Sequence, residues 1–451
     1  MIVMKFGGTS VGSAERIKAL GELVRARQSR RPVVVVSALS GVTDLLIKGA
    51  RLALARDPER DTIAEALVKR HREVVDVLFP NGAVRDRLMA HVEGVLKDLS
   101  SFYTGVYHLE ELTPRTLDAV SAMGERISCE IVAAAMDGAG IRAQALDARS
   151  VLLTDDTFGR AAPLMDETGA RVREQVLPLV QQGIVPVFGG FIGSTRQGVT
   201  TTLGRGGSDW SAAIFGSLLP AEEIQIWTDV DGIMTVDPRI VPGAKVLPEV
   251  SFEEAAELAY FGAKVLHPAT IKPAVERGIP VFVLNTMNPP APGTRIASRK
   301  DEAAPGEPRA LAFKKGITVI LVSQPRMLMA HGFTAKVFEV FARHRTSVDL
   351  IATSEVSISL TVDNTDTLAA VKADLAELGE VRVFQNMAIV SVVGRGFNRR
   401  AGLAGRIFQA ISDVNINMIS FGASDVNISF VVDAADAEKC VKSLHREFFE
   451  R

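Results

Sequence analysis

The sequence predicts an α/β protein in which buried parallel strands alternate with helices, followed by a small unit of ferredoxin-like arrangement that occurs twice. Three observations predict this. Five apolar runs, at residues 2–6, 33–37, 184–188, 224–227 and 281–284, are as short and continuously hydrophobic as strands covered on both faces. Long stretches of helical periodicity separate them. Nearer the carboxyl end, "GFTAKVFEVFARHRTSVDLIATSEVSISLTVD" from Gly332 and "GLAGRIFQAISDVNINMISFGASDVNISFVVD" from Gly402 align without a gap at a spacing of 70 positions. Under that alignment Phe338 matches Phe408, Ile358 matches Ile428 and Asp363 matches Asp433.

The first run, Ile2 to Phe6, reads as a strand that breaks at Gly7-Gly8-Thr9-Ser10 before a helix. Ser13 is placed to cap that helix, with Glu15 in its first turn and Ile17, Leu20 and Val24 as its buried stripe. Four valines ending at Val36 make the next strand, and "SALSGVTD" (37–44) puts small hydroxyl residues at its carboxyl end. Residues 51–121 are charged and helical, closing on Leu112-Thr113-Pro114. "MNPPAPGTRIASRKDEAAPGEPR" (287–309) is rich in Pro, Gly and charge and reads as a linker or domain edge. The expected domains are therefore 1–290, a linker over 291–312, and the two repeats at 313–383 and 384–451. Each repeat reads as strand, glycine-started helix, strand, polar turn and alternating strand, within a β-α-β-β-α-β unit. Such a repeat can be purely structural, but its turns "ATSE" and "GASD" do nothing to fill a core.

Length and composition narrow the class. A chain of 451 residues holds roughly two to four domains. With 47% hydrophobic and 23% charged residues it is an ordinary globular chain, and a net charge of −2 gives no sign of nucleic-acid binding. Cys129 and Cys440 form no C-x-x-C pair or disulfide framework, which fits a reducing cytoplasm. The amino terminus carries no leader pattern, and no run approaches the ~18 apolar residues of a membrane span. The expectation is a soluble, untargeted protein.

Three stretches could carry chemistry. The Gly7-Gly8 loop, with Lys5 beside it, exposes backbone N–H groups where a helix begins, which suits phosphate; it serves a tight turn equally well. It is neither a P-loop nor a G-x-G-x-x-G fingerprint. "TTTLGRGGSDWSAAIF" (200–215) places the Arg205 guanidinium, the Ser208 hydroxyl and the Asp209 carboxylate on one glycine-rich loop, with Ser208 or Asp209 expected to cap the following helix. "IWTDVDGIMTVDPR" (226–239) ends a strand in Thr228-Asp229, at the edge where open α/β sheets bind ligands, although Asp-Gly and Asp-Pro turns explain part of it. A divalent cation held by these aspartates alone is not expected, because Mg²⁺ leans on substrate phosphates. In "MGERIS" (123–128), Glu125 and Arg126 read slightly better as a structural ion pair, and His267-Pro268 as a helix boundary. No H-E-x-x-H is present, so metalloprotease chemistry finds no support; lysine, arginine and glycine loops point to phosphoryl transfer by charge stabilisation.

Taken together, "KFGGTSV", "TTTLGRGGSD", "WTDVDGI", "FGAKVLHP" and "SVDLIATSEVSISLTVD" resemble aspartate kinase, the monofunctional type with two carboxy-terminal ACT domains, over essentially the whole chain. The resemblance implies an amino-acid-kinase fold, with a central mainly parallel sheet between helices, and a paired ACT regulatory module. It implies phosphorylation of L-aspartate by ATP with Mg²⁺ to 4-phospho-L-aspartate, the first step toward lysine, threonine and methionine. It assigns Lys5 and Asp209 as the catalytic pair; Gly7, Gly8 and Thr9 with Lys5 as the phosphate loop; Thr43, Glu125, Arg205 and Ser208 to aspartate; and Thr228, Asp229 and Lys264 to the nucleotide. Met327, Gly332, Asp349, Thr353, Ser354, Glu355 and Val356 become the effector site, with lysine as effector and threonine or a joint effect left open. A homodimer or dimer of dimers through the ACT units is implied. Two departures stand out: Met234 where many relatives carry an aromatic residue, and Met329-Ala330 where some lysine-inhibited members are polar. The rivals are another kinase of the same fold, acting on glutamate, acetylglutamate or a nucleotide, and a catalytically inactive amino-acid sensor.

Overall fold

A computed structural model describes residues 1–262, 268–298, 306–324 and 331–450. It contains two compact units. The first, Met1–Ile233 with Pro248–Phe252 and the described part of Val265–Arg299, is built on an eight-stranded sheet. Its strands are β1 (Ile2–Phe6), β2 (Pro32–Val36), β3 (Ala143–Leu146) and β4 (Val185–Gly189); the short pair β5 (Ile192–Ser194) and β6 (Thr200–Thr202) stands apart. The sheet continues with β7 (Glu223–Thr228), β8 (Glu249–Val250), β9 (Val281–Asn285) and β10 (Thr294–Ile296). The order is β3-β4-β2-β1-β7-β9-β10-β8, parallel throughout except where β9 meets β10.

The apolar runs explain this arrangement. Every residue of β1, β2 and β4 is buried, as expected of strands with helices on both faces. Phe6 stacks on Trp227 across the β1–β7 pair, with ring centroids 6.0 Å apart. The helix Ala14–Arg25 starts at Ser13, whose hydroxyl accepts from the Arg16 N–H, and buries Ile17, Leu20 and Val24. Residues 42–121 form four helices, the last opened by Thr113 as cap with Pro114 in its first turn. The register aligns Phe6 with Val36 and Trp227, so the chain leaves β1, β2 and β7 at one edge of the sheet.

The second unit comprises Met234–Leu247, Glu253–Lys264 and Lys300–Arg451 in their described parts. It holds one antiparallel sheet made of β11 (Pro308–Ser323), β12 (Ile351–Thr353), β13 (Ser357–Val362), β14 (Glu380–Gly394), β15 (Met418–Phe421) and β16 (Asn427–Asp433). The order is β12-β13-β11-β14-β16-β15. The two copies correspond as aligned: Gly332 (φ 79°) and Gly402 (φ 82°) both stand in the left-handed region ahead of the helices Phe333–Arg343 and Leu403–Ala410. They are not separate sheets, however. β11 and β14 are 16 and 15 residues long and run through both halves. The segment Met234–Leu247 adds Val236 and Val241 to the core formed by the second repeat, and the Leu311 N–H donates to the Thr235 carbonyl at 2.7 Å.

The stretch expected to be a linker is corrected in part. Thr294–Ile296 pairs with Val281–Val283 in the first sheet, and β11 already begins at Pro308. Pro and Gly mark the turns between these pieces rather than an open tether.

Candidate active site

The site is assembled where the parallel strands end. After β1 the chain turns at Gly7, whose N–H donates to the Trp227 carbonyl at 3.1 Å and whose carbonyl accepts from the Ser10 N–H at 2.9 Å. Gly7 has ordinary extended angles (φ −70°, ψ 167°), so its backbone does not demand glycine. Gly8 does face a spatial demand: a Cβ there would lie 3.0 Å from the Ala38 carbonyl oxygen. The Ser10 hydroxyl meets that of Thr286 at 2.7 Å and fastens the turn to the end of β9.

Lys5, on the buried central strand, directs its ammonium to Asp209, with Nζ and Oδ1 2.6 Å apart. Their side chains are 11% and 12% exposed, and the contact is an ion pair without the alignment of a hydrogen bond. Asp209 lies in the first turn of the helix Gly207–Leu218. The expected cap is corrected here: Gly206 (φ 70°) holds the cap position with no side-chain hydrogen bond. Ser208 instead accepts from the Ser37 hydroxyl at 3.0 Å, and Asp209 faces the lysine.

Glu125 enters from the helix Met123–Gly138 and is 3% exposed. Its Oε1 accepts from the Ala38 N–H at 3.1 Å, while Oε2 is buried without a hydrogen-bond partner. Burial pushes its pKa up to about 7. The ion pair with Arg126 is not formed, because neighbouring helix positions point about 100° apart. Arg126 lines a separate small cavity with His91, Cys129, Asp147 and Arg149. Two glycines permit the close packing around Glu125 and Ser208: a Cβ on Gly189 would lie 2.8 Å from the Glu125 carbonyl oxygen, and one on Gly190 2.8 Å from Ser208 Cα.

These groups line an open cleft of about 510 Å³. Of the expected residues it brings together Lys5, Gly7, Gly8, Thr9, Thr43, Glu125, Ser208, Asp209, Thr228 and Asp229. Arg205 is exposed and not part of that lining, although its neighbours Gly204 and Gly206 are. Lys264, His267, Met327, Met329 and Ala330 fall outside the described residues. Sequence reasoning passed over Asp118, which ties two loops of this unit, because one aspartate in a charged helical stretch carries no visible signal.

The expected effector residues lie in the second unit. Asp349 accepts from the Tyr260 hydroxyl at 2.6 Å and has Lys314 Nζ at 4.0 Å. Its Oδ2 is buried without a hydrogen bond, and burial raises its pKa. Ser354 closes the next turn, accepting from the Ser357 N–H at 3.1 Å; Thr353, Glu355 and Val356 are exposed beside it. Met234 pairs with Val246 within this unit. Among the described residues no three His, Cys, Asp or Glu side chains form a metal-binding group, and no helix is long and apolar enough to cross a membrane.

Comparison with known proteins gives a consistent picture. The amino acid kinase family matches residues 1–285, and the ACT domain matches 314–374 and 390–448. Lysine-sensitive aspartokinase 3 of Escherichia coli is 38% identical over 462 residues, covering 100% of this chain and 99% of that protein. Chloroplastic aspartokinase 1 of Arabidopsis thaliana is 38% identical over 464 residues, covering 99% of this chain and 80% of its own length. Among solved structures, E. coli aspartokinase III in complex with aspartate and ADP (R-state) superposes with a TM-score of 0.87 at 38% identity and full coverage of both chains. Its complex with lysine and aspartate (T-state) gives 0.82 over 100% of this chain and 99% of that one.

Proposed function

The chain belongs to the aspartokinases of the amino acid kinase family, and from that premise we propose how its cleft transfers the γ-phosphoryl group of ATP to the β-carboxylate of L-aspartate. The observation that carries the reading is one cleft holding the Lys5–Asp209 pair, the Gly7–Gly8 turn and the unpartnered Glu125 oxygen. Glu125 receives the substrate ammonium. Arg205 reaches the α-carboxylate from the rim, and Thr43 and Ser208 supply hydroxyls. The substrate's β-carboxylate, with an ordinary pKa of about 3.9, is already ionised at pH 7 and needs no strong general base. Its oxygen bonds to the γ-phosphorus as the bond to the leaving ADP oxygen breaks. Lys5, oriented by Asp209, and the N–H groups of Gly8 and Thr9 then face oxygens on which negative charge is spread, the Gly7 N–H being held by the Trp227 carbonyl. Thr228 and Asp229 stand on the nucleotide side, with Lys264 as a further candidate.

Asp209 and Asp229 are two carboxylates rather than a complete cage, which fits an ion that keeps water and substrate phosphates as ligands. Mg²⁺ held there would add positive charge at the phosphates.

The domain division that goes with this function is 1–290 for catalysis and ACT units at 313–383 and 384–451, supported by the matched ranges. Lysine is the proposed feedback effector, its ammonium directed to the buried Asp349 carboxylate and to Glu355. The exposed Ile351, Val356, Ile419 and Phe421 support association through the ACT units as a homodimer or dimer of dimers. Two buried free cysteines suit a reducing cytoplasm.

Lys5→Ala is the direct test of the mechanism. It should lower kcat about 10²–10³-fold, as expected for loss of a charge aimed at the transition state, while the variant still melts cooperatively as a folded protein. Wild-type kcat in that variant removes Lys5 from the mechanism.

A further inference from the structure

Asp118 lies outside the cleft lining, on the helix Pro114–Ser121, and is 2% exposed. Its carboxylate accepts from the Gly159 N–H through both oxygens, at 3.0 and 2.9 Å. It also accepts from the Thr202 N–H at 2.9 Å and the Thr202 hydroxyl at 2.7 Å. Every contact is donated to it, so it acts wholly as an acceptor. No cation lies within ion-pair distance among the described residues. A buried carboxylate without a cation is a costly way to fasten two loops unless its hold on them matters.

What it fastens is the base of the Arg205 loop. The Ala161 N–H donates to the Thr202 carbonyl at 2.9 Å, and a Cβ on Gly204 would sit 2.9 Å from the Gly159 oxygen. The Leu203 N–H donates to the Phe191 carbonyl at 2.9 Å. Gly204 (φ 80°) and Gly206 (φ 70°) then turn the chain through the left-handed region, and the Gly207 N–H returns to the Gly204 carbonyl at 3.0 Å as the helix bearing Ser208 and Asp209 begins. The loop is thus held at both ends, with Arg205 exposed at its tip.

We infer that Asp118 is a positioning residue for substrate recognition: by fixing Gly159 and Thr202 it sets where Arg205 presents its guanidinium to the α-carboxylate of the amino-acid substrate. The inference rests on the Arg205 reading above. It predicts that loosening the base of the loop weakens recognition of aspartate and leaves ATP recognition alone.

The test is steady-state kinetics on full-length Asp118→Asn, Arg205→Ala and the double variant, with aspartate and ATP varied separately and each fold checked by thermal melting. The amide turns a donor toward groups that themselves donate. Asp118→Asn should raise KM for aspartate about 10-fold, within the range that misplaced recognition groups cost, with KM for ATP within about twofold of wild type. In the Arg205→Ala background it should add almost nothing, because both changes remove one interaction. Additive effects in the double variant, or an equal rise in KM for ATP, overturn the inference while leaving Arg205 as a substrate ligand. An unchanged aspartate KM in Arg205→Ala overturns both. Should Asp118→Asn fail to fold, Thr202→Val removes one of the same hydrogen bonds and is read by the same criteria, with a smaller expected rise.

Discussion

At the scale of single residues, Glu125 meets two opposed demands. Its burial makes the ionised form costly, yet the proposed function needs that charge for the substrate ammonium. With a folded pKa of about 7 against an ordinary 4.5, the folded protein keeps a proton that the unfolded chain has lost between those values. Stability therefore falls as pH rises from about 4.5 to 7, by roughly 3 kcal/mol if the whole shift is expressed. Two outcomes follow. The kcat/KM for aspartate should rise with pH and level off above about 7, since that ratio reports the free enzyme. Glu125→Gln should abolish this rise and weaken aspartate binding, while urea melts at pH 8 show the substrate-free variant to be more stable than wild type. A flat wild-type profile between pH 5 and 8 would remove Glu125 as the group that titrates. The sequence marked Glu125 as a candidate but paired it with Arg126, because a charged pair in an apolar helix is visible in sequence whereas the direction each side chain takes is not. Lys5 and Asp209 were legible as members of a site, and their 2.6 Å contact across 204 positions of chain was not.

At the scale of elements, the helix Gly207–Leu218 is set against the end of β4 with so little clearance that Gly190 is required by space. Its backbone conformation imposes no such demand. Gly190→Ala should cost about 1–3 kcal/mol in denaturant-measured stability, as overpacking does, and should raise KM for aspartate by displacing Ser208. The second element of interest is the helix Phe252–Tyr260, which from Glu253 belongs to the second unit and there donates the Tyr260 hydroxyl to Asp349. An effector ammonium has to compete with that hydroxyl. Tyr260→Phe should therefore lower the lysine concentration for half-inhibition several-fold; an unchanged value would separate Tyr260 from effector binding, and a higher one would contradict the competition. Among the elements themselves, the five short apolar runs were readable to within about a residue because burial on both faces writes itself as continuous hydrophobicity. β3 escaped because "AQAL" is half-exposed and alanine-rich, and β10 because three residues between prolines and glycines look like linker. The first turn of Gly207–Leu218 misled for a different reason: Ser and Asp favour caps in general, and here both side chains are engaged by Ser37 and Lys5.

At the scale of the whole molecule, the duplicated segments were plain in the sequence, but their fusion into one sheet was not. The strands that join them, β11 and β14, lie outside the aligned segments and are longer than one copy would need. The aligned positions also differ where the proposed effector binds: Asp349 corresponds to Ile419, so the second copy lacks that carboxylate. Asp349→Ala should accordingly raise the lysine concentration for half-inhibition at least about tenfold, measured against the variant's own uninhibited rate, as loss of a charged hydrogen-bonding partner does. Unaltered lysine sensitivity would move the effector elsewhere. The function itself turns on the chemical identity of the product. The measurement to make is ATP-dependent acyl phosphate formation, trapped as the hydroxamate, from L-aspartate and in parallel from L-glutamate and N-acetylglutamate, with Mg²⁺ present. Hydroxamate from aspartate alone, in step with ADP release, is the predicted result; none from aspartate by the folded protein, or preferential formation from another acceptor, would contradict the account.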